Sequence, residues 1–239
     1  MPIEKSFRDR VGRFALLKEA CESFDPAFAP VDEELTVAAQ VTLLATLEAG
    51  CTTVDGGATE LKDLTDARVL TVKTLRGLAT RAVNRVASSR AWETKLPLVK
   101  KAADKVRGMK PPRAQKPAPP PRRRARRGDG YHDIAAHLGK LVAALGKCPG
   151  YDTGAPPEIA IGVLDALRQQ LRTANGEIGE REVTLGEAQV ERVRLFESKK
   201  PLPDGTAALR SRWARIKKAI KSQYGVDSAQ YELVRPIKY

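Results

Sequence analysis

Apolar residues recur at three- and four-residue steps along nearly all of the chain, the spacing of helices with one buried face. Val11, Phe14, Leu17 and Cys21 form the first stripe and predict a helix over about 5–23, ended by Pro26 and Pro30. Asp32 reads as the N-cap of a second helix to about residue 49, with Leu35, Val37, Val41, Leu44 and Leu47 inward and Gly50 as its stop. Gly56-Gly57 reads as a loop before a third helix over about 59–78, on which Leu61, Leu64, Arg68, Thr71 and Leu75 share a face. A fourth element, about 80–107, carries Val83, Val86, Leu96, Val99, Ala102 and Val106, with Pro97 breaking it in two.

The same programme restarts after residue 130. Ile134, Leu138, Leu141 and Leu145 mark a first helix, and Pro156-Pro157 opens a second, with Ile159, Val163, Leu167 and Leu171, to about residue 174. Ile178, Leu185, Ala188 and Phe196 mark a third that ends before Pro201 and Pro203, and Leu209, Trp213, Ile216 and Ile220 a fourth closed by Gly225. The remainder, 226–239, reads as a docked tail using Val226, Tyr231, Val234 and Ile237. At an offset of 124 residues the second and third helices align without gaps: Leu35 with Ile159, Leu47 with Leu171, Val54 with Ile178, Leu61 with Leu185 and Arg68 with Arg192. Each half is also acidic early and basic late, the outcome expected of a tandem duplication. The expected fold class is all-α: two tandem four-helix antiparallel bundles, 1–107 and 131–239, joined by a disordered Pro/Arg-rich linker over 108–130.

The linker stands apart in composition. Pro111, Pro112, Pro117, Pro119, Pro120 and Pro121 remove backbone donors and bias their predecessors towards extended geometry. No apolar side chain larger than alanine or proline lies between Met109 and Tyr131, so nothing there can offset the entropy of ordering. Two lysines and six arginines against Asp129 give this tenth of the chain +7 of the protein's +13. Arg122, Arg123, Arg124, Arg126 and Arg127 repel one another until a polyanion supplies counter-charge, and nucleic acid is the commonest such partner. The centre of a minor-groove Arg-Gly-Arg-Pro hook is absent, and Arg127-Gly128-Asp129 matches an adhesion tripeptide in a chain with no sign of secretion.

Three widely spaced cysteines, Cys21, Cys51 and Cys148, indicate neither a disulfide framework nor a zinc site and fit a reducing cytoplasm. The first residues lack the apolar core of a signal peptide, and no run is expected to cross a membrane. His132 and His137, five residues apart on one helix, sit about 140° apart around its axis and do not converge on a metal. Neither a Glu-x-x-His bundle motif nor a Gly-Lys-Ser/Thr phosphate loop occurs, so no enzyme activity and no cofactor is expected.

The arrangement resembles a group of bacterial tandem helical-repeat proteins. The matching residues are Lys105, Val106, Arg107 and Gly108 at the end of the first unit, and Gly225, Ser228, Tyr231, Val234, Ile237, Lys238 and Tyr239 at the end of the second. Ala67-Arg68 and Glu191-Arg192 match on the third helices. The resemblance covers most of the chain apart from its longer, more arginine-rich linker; it implies the architecture and no activity.

The leading expectation is non-enzymatic, sequence-nonspecific binding of nucleic acid or another polyanion. Arg122, Arg123, Arg124, Arg126 and Arg127 would contact phosphates, assisted by Arg113 and Lys116. Basic helix residues extend this field: Arg81, Arg85, Arg90, Lys100, Lys101 and Lys105, then Arg210, Arg212, Arg215, Lys217, Lys218 and Lys221. Trp92 lies among the first set as a candidate base-stacking ring, while Trp213 is spaced for the core. The alternative is a scaffold that self-associates or binds a protein partner, its linker a spacer.

Overall fold

The fold was analysed in a computed structural model, which describes residues 2–108 and 131–239. Helices and connecting turns make up these residues, and among them there is no strand. The expected linker therefore lies outside the described residues, apart from Gly108. That residue ends the helix before it in the left-handed region (φ 73°), its N–H returning to the Asp104 and Lys105 carbonyls.

In chain order the helices are α1 (Pro2–Glu22), α2 (Val37–Ala87), α3 (Leu96–Arg107), α4 (Tyr131–Leu145), α5 (Ile161–Glu197), α6 (Leu209–Tyr224) and α7 (Ala229–Val234). Short 3-10 turns precede three of them, at Glu33–Leu35, Arg90–Lys95 and Pro157–Ile159. Asp32 caps the first of these turns, its side chain accepting from the Glu34 N–H at 3.1 Å.

Three expected breaks do not exist. The second and third predicted helices of the first half are one helix, α2, of 51 residues, which passes through Gly50, Gly56 and Gly57 and on beyond residue 80 into the start of the predicted fourth. Their counterparts in the second half are likewise one helix, α5, of 37 residues, which passes through Gly176, Gly179 and Gly186. An interior glycine costs a helix about 1 kcal/mol relative to alanine, a penalty that side-chain packing overrides. Gly50 and Gly57 sit where α5 comes close: a Cβ at either would lie 3.3 Å from Leu195 Cδ1 or Leu185 Cδ1. The break falls instead at Ser88-Ser89, and Pro97 opens α3 at its first turn, where its missing N–H costs nothing.

The chain forms two compact units, one of residues 1–60 with 182–239 and one of residues 61–181. This grouping differs from the expected sequential pair 1–107 and 131–239, because α2 and α5 each contribute to both units. In the first unit, α1 buries Phe7, Phe14, Leu17 and Cys21 against Leu43, Leu47 and Cys51 of α2, Phe196 of α5, and Trp213, Ile216 and Ile220 of α6. The tail docks there through α7 and Val234, with the Tyr239 hydroxyl donating to the Phe196 carbonyl at 2.9 Å. In the second unit, Val72, Leu75 and Val86 of α2, Val99 and Val106 of α3, Leu138 and Leu141 of α4, and Leu164 and Leu171 of α5 close a separate core.

Contrary to the expectation that no run is apolar enough, α2 meets the length and composition needed to cross a bilayer, through an 18-residue window of mean hydropathy 1.3. That stretch begins at the helix start, where Leu43, Leu47, Cys51 and Val54 form a buried stripe and the exposed positions are mostly alanine and threonine.

A candidate anion-binding groove

The two helices that flank the linker, α3 before it and α4 after it, pack directly on each other in the second unit. Val99, Ala103 and Val106 face inward from α3, and Ile134, Leu138, Leu141 and Leu145 from α4. Beside this contact the residues Leu98, Lys101, Ala102 and Lys105 of α3 meet Lys140, Ala143 and Ala144 of α4 and Lys147 of the turn that follows it. The α3 set follows an i, i+3, i+4, i+7 spacing and the α4 set an i, i+3, i+4 spacing, so each lies along one face of its helix, with Lys147 just past the end of α4. Alanines at the centre leave a groove of about 310 Å³, with Leu98 on one side. The four lysines stand around this apolar floor, all exposed.

None of these four ammonium groups forms an ion pair or hydrogen bond among the described residues. Asp104, beside Lys105 in the chain, is engaged with Arg107 on its own helix at 3.5 Å. The local field registers on His137, which burial, together with Lys105 and Lys140, holds below the ordinary imidazole value, while Asp133 pulls the other way. Its Nδ1 is buried without a hydrogen-bond partner.

Most other basic residues expected to contribute are already committed. Arg85 donates to the backbone carbonyls of Tyr151, Thr153 and Gly154, tying down the loop after α4. Arg81 lies 3.5 Å from Glu158, and Arg210 lies 3.2 Å from Glu197. Arg212 is buried and donates to the Ala207 carbonyl at 2.7 Å. Arg215 pairs with both Asp32 and Glu34. Lys217 donates to the Arg235 and Ile237 carbonyls of the tail. Arg90, Lys100, Lys101, Lys105, Lys218 and Lys221 remain exposed.

The tryptophans do not provide open stacking platforms. Trp213 belongs to the core, as its spacing predicts, and Trp92 is partly buried, donating Nε1–H to the Pro149 carbonyl at 3.0 Å. Burial raises the Cys51 and Cys148 thiols above their ordinary value and pushes Cys21 up to about 11, so all three stay protonated near neutral pH.

Arg113, Lys116, Arg122, Arg123, Arg124, Arg126 and Arg127, the residues expected to contact phosphate, lie outside the described residues. Lys140 and Lys147 are not among the cations that the sequence pattern singled out, although a signal was present. Lys-x-x-Ala-Ala-x-x-Lys over 140–147, which runs from α4 into the turn after it, echoes Leu-x-x-Lys-Ala-x-x-Lys over 98–105 on α3.

The chain matches no protein-family model, no curated protein and no solved structure.

Proposed function

We propose that this protein binds nucleic acid or another polyanion without catalysis and without sequence specificity, using the linker cations together with the lysine groove. The observation that carries the reading is a set of four lysines, unpaired among the described residues: Lys101 and Lys105 on α3, Lys140 on α4 and Lys147 in the turn after it, beside the helices from which the +7 linker departs and to which it returns. Cations aligned along a groove and left without acidic partners favour an extended anion, because each phosphate engaged releases condensed counterions. Arginines in the linker add planar donors suited to bidentate phosphate contact. The groove's small apolar floor offers no hydrogen-bonding groups to distinguish one base from another, which suits backbone recognition.

The test is fluorescence anisotropy of a short labelled duplex across a salt series. If the eight linker cations alone engage phosphates, the log–log salt slope approaches about −7; with the four groove lysines added it approaches about −11. Changing Arg122, Arg123, Arg124, Arg126 and Arg127 to Ser flattens the slope by about 4, and changing Lys101, Lys105, Lys140 and Lys147 to Ala by a similar amount. An intact protein that binds no more tightly than the arginine variant at low salt sinks the proposal and turns attention to protein partners.

A further inference from the structure

The repeat read from the sequence has a structural counterpart at the same offset of 124 residues. The 3-10 turns Glu33–Leu35 and Pro157–Ile159 keep that offset, as do the starts of α2 at Val37 and α5 at Ile161. Buried positions keep it too: Phe14 and Leu138, Leu17 and Leu141, Leu47 and Leu171 are each fully buried. The two halves, 1–108 and 131–239, therefore begin with equivalent elements.

Equivalent residues nevertheless meet across the halves. The Arg68 guanidinium lies 3.9 Å from the ring centroid of Tyr131, and the Arg192 guanidinium lies 4.6 Å from that of Phe7. Arg68 is equivalent to Arg192 and Phe7 to Tyr131, so these are one contact made twice, in reciprocal directions. Two sequential bundles would stack Arg68 over Phe7 and Arg192 over Tyr131. Both tryptophans also pack across the halves, though at positions that are not equivalent: Trp92 of the first half packs on Tyr151 of the second at 5.8 Å, and Trp213 of the second packs on Phe14 of the first at 5.9 Å.

We infer that the chain is a covalently joined, exchanged pair of repeats. Each half gives its first helix and the start of its long helix to one unit, and gives the rest of the long helix and the elements C-terminal to it to the other. The partner that each half is built to fit is thus another half of the same kind, supplied in cis here and open to supply by a second copy of this chain. Neither core can close from one half: the first unit's needs Phe14 and Leu47 as well as Phe196, Trp213 and Ile220, and the second unit's divides in the same way. Exchange of identical elements is a low-cost route to dimers, and a linker turns it into an intramolecular event at high effective concentration.

The test uses the full chain with one specific protease site inserted between Lys116 and Pro117, folded and then cut. The cut halves are expected to elute together at the intact mass. The urea midpoint should fall with each tenfold dilution of the cut protein but not of the uncut one, with helicity and tryptophan burial lost together. Separated in urea and refolded singly, neither half should regain helicity as a monomer, while mixing restores both signals; a homodimer formed by one half alone also fits the inference. Either half refolding alone as a helical monomer with a buried tryptophan would overturn it, as would a cut protein whose midpoint is independent of concentration. Neither result bears on anion binding, which is read separately by anisotropy.

Discussion

Cations that look alike in the sequence take opposite roles once their neighbours are known. Arg85 and Lys217 spend their donors on backbone carbonyls, and Arg215 spends its on Asp32 and Glu34, whereas Lys101, Lys105, Lys140 and Lys147 form no ion pair or hydrogen bond among the described residues. His137 reports on that difference. Burial, Lys105 and Lys140 depress its pKa in the free protein, against the opposing pull of Asp133, and a polyanion in the groove would screen the two lysines. The complex then holds more protons than the free protein on the acid side of the ordinary value of 6.5, so affinity rises as pH falls through that region. Calorimetry at pH near 6 in buffers of different ionisation enthalpy should show proton uptake, and His137→Gln should abolish it while leaving the salt slope intact. Binding without uptake in the unaltered protein would mean that the anion does not enter the groove. Trp213 was legible as core because Leu209, Ile216 and Ile220 share its helical face; the commitments of Arg85 and Lys217 were not, since their acceptors lie far along the chain.

At the scale of the element, periodicity located the six longer helical segments but not α7, which reads as a tail, and it misjudged where the long helices end. Gly50 and Gly56-Gly57 carry the local signature of a stop, and nothing in local sequence records that Leu195 and Leu185 of α5 press against two of them. The three glycines should therefore differ on substitution. Gly56 has open space where a Cβ would project, so Gly56→Ala should raise stability by about 0.5–1 kcal/mol through helix propensity alone. Gly57→Ala gains the same propensity but puts a methyl group 3.3 Å from Leu185 Cδ1, so it should gain less or lose. Urea denaturation of the two variants side by side decides the matter: equal gains would show that α2 and α5 approach less closely at Gly57 than the structure has them.

For the whole molecule, the repeat was visible because buried positions tolerate changes of side chain while keeping their spacing. Which half pairs with which was not visible, since Arg68 over Tyr131 and Arg68 over Phe7 leave the same pattern in the sequence. Removing residues 198–239 separates the two connectivities. That truncation takes Trp213, Ile216, Ile220 and Val234 from the core that α1 closes, whereas the core around Leu75, Val106, Leu138 and Leu171 contains no residue beyond 171. Amide exchange of the truncated chain should therefore show α3 and α4 still protected, with α1 and residues 37–60 close to unfolded rates. Sequential bundles give the reverse, because α1 and α2 would keep a complete partner set within 1–107 while α4 lost its own. Protection retained in α1 and lost in α4 would thus restore the sequential arrangement and remove the basis for exchange.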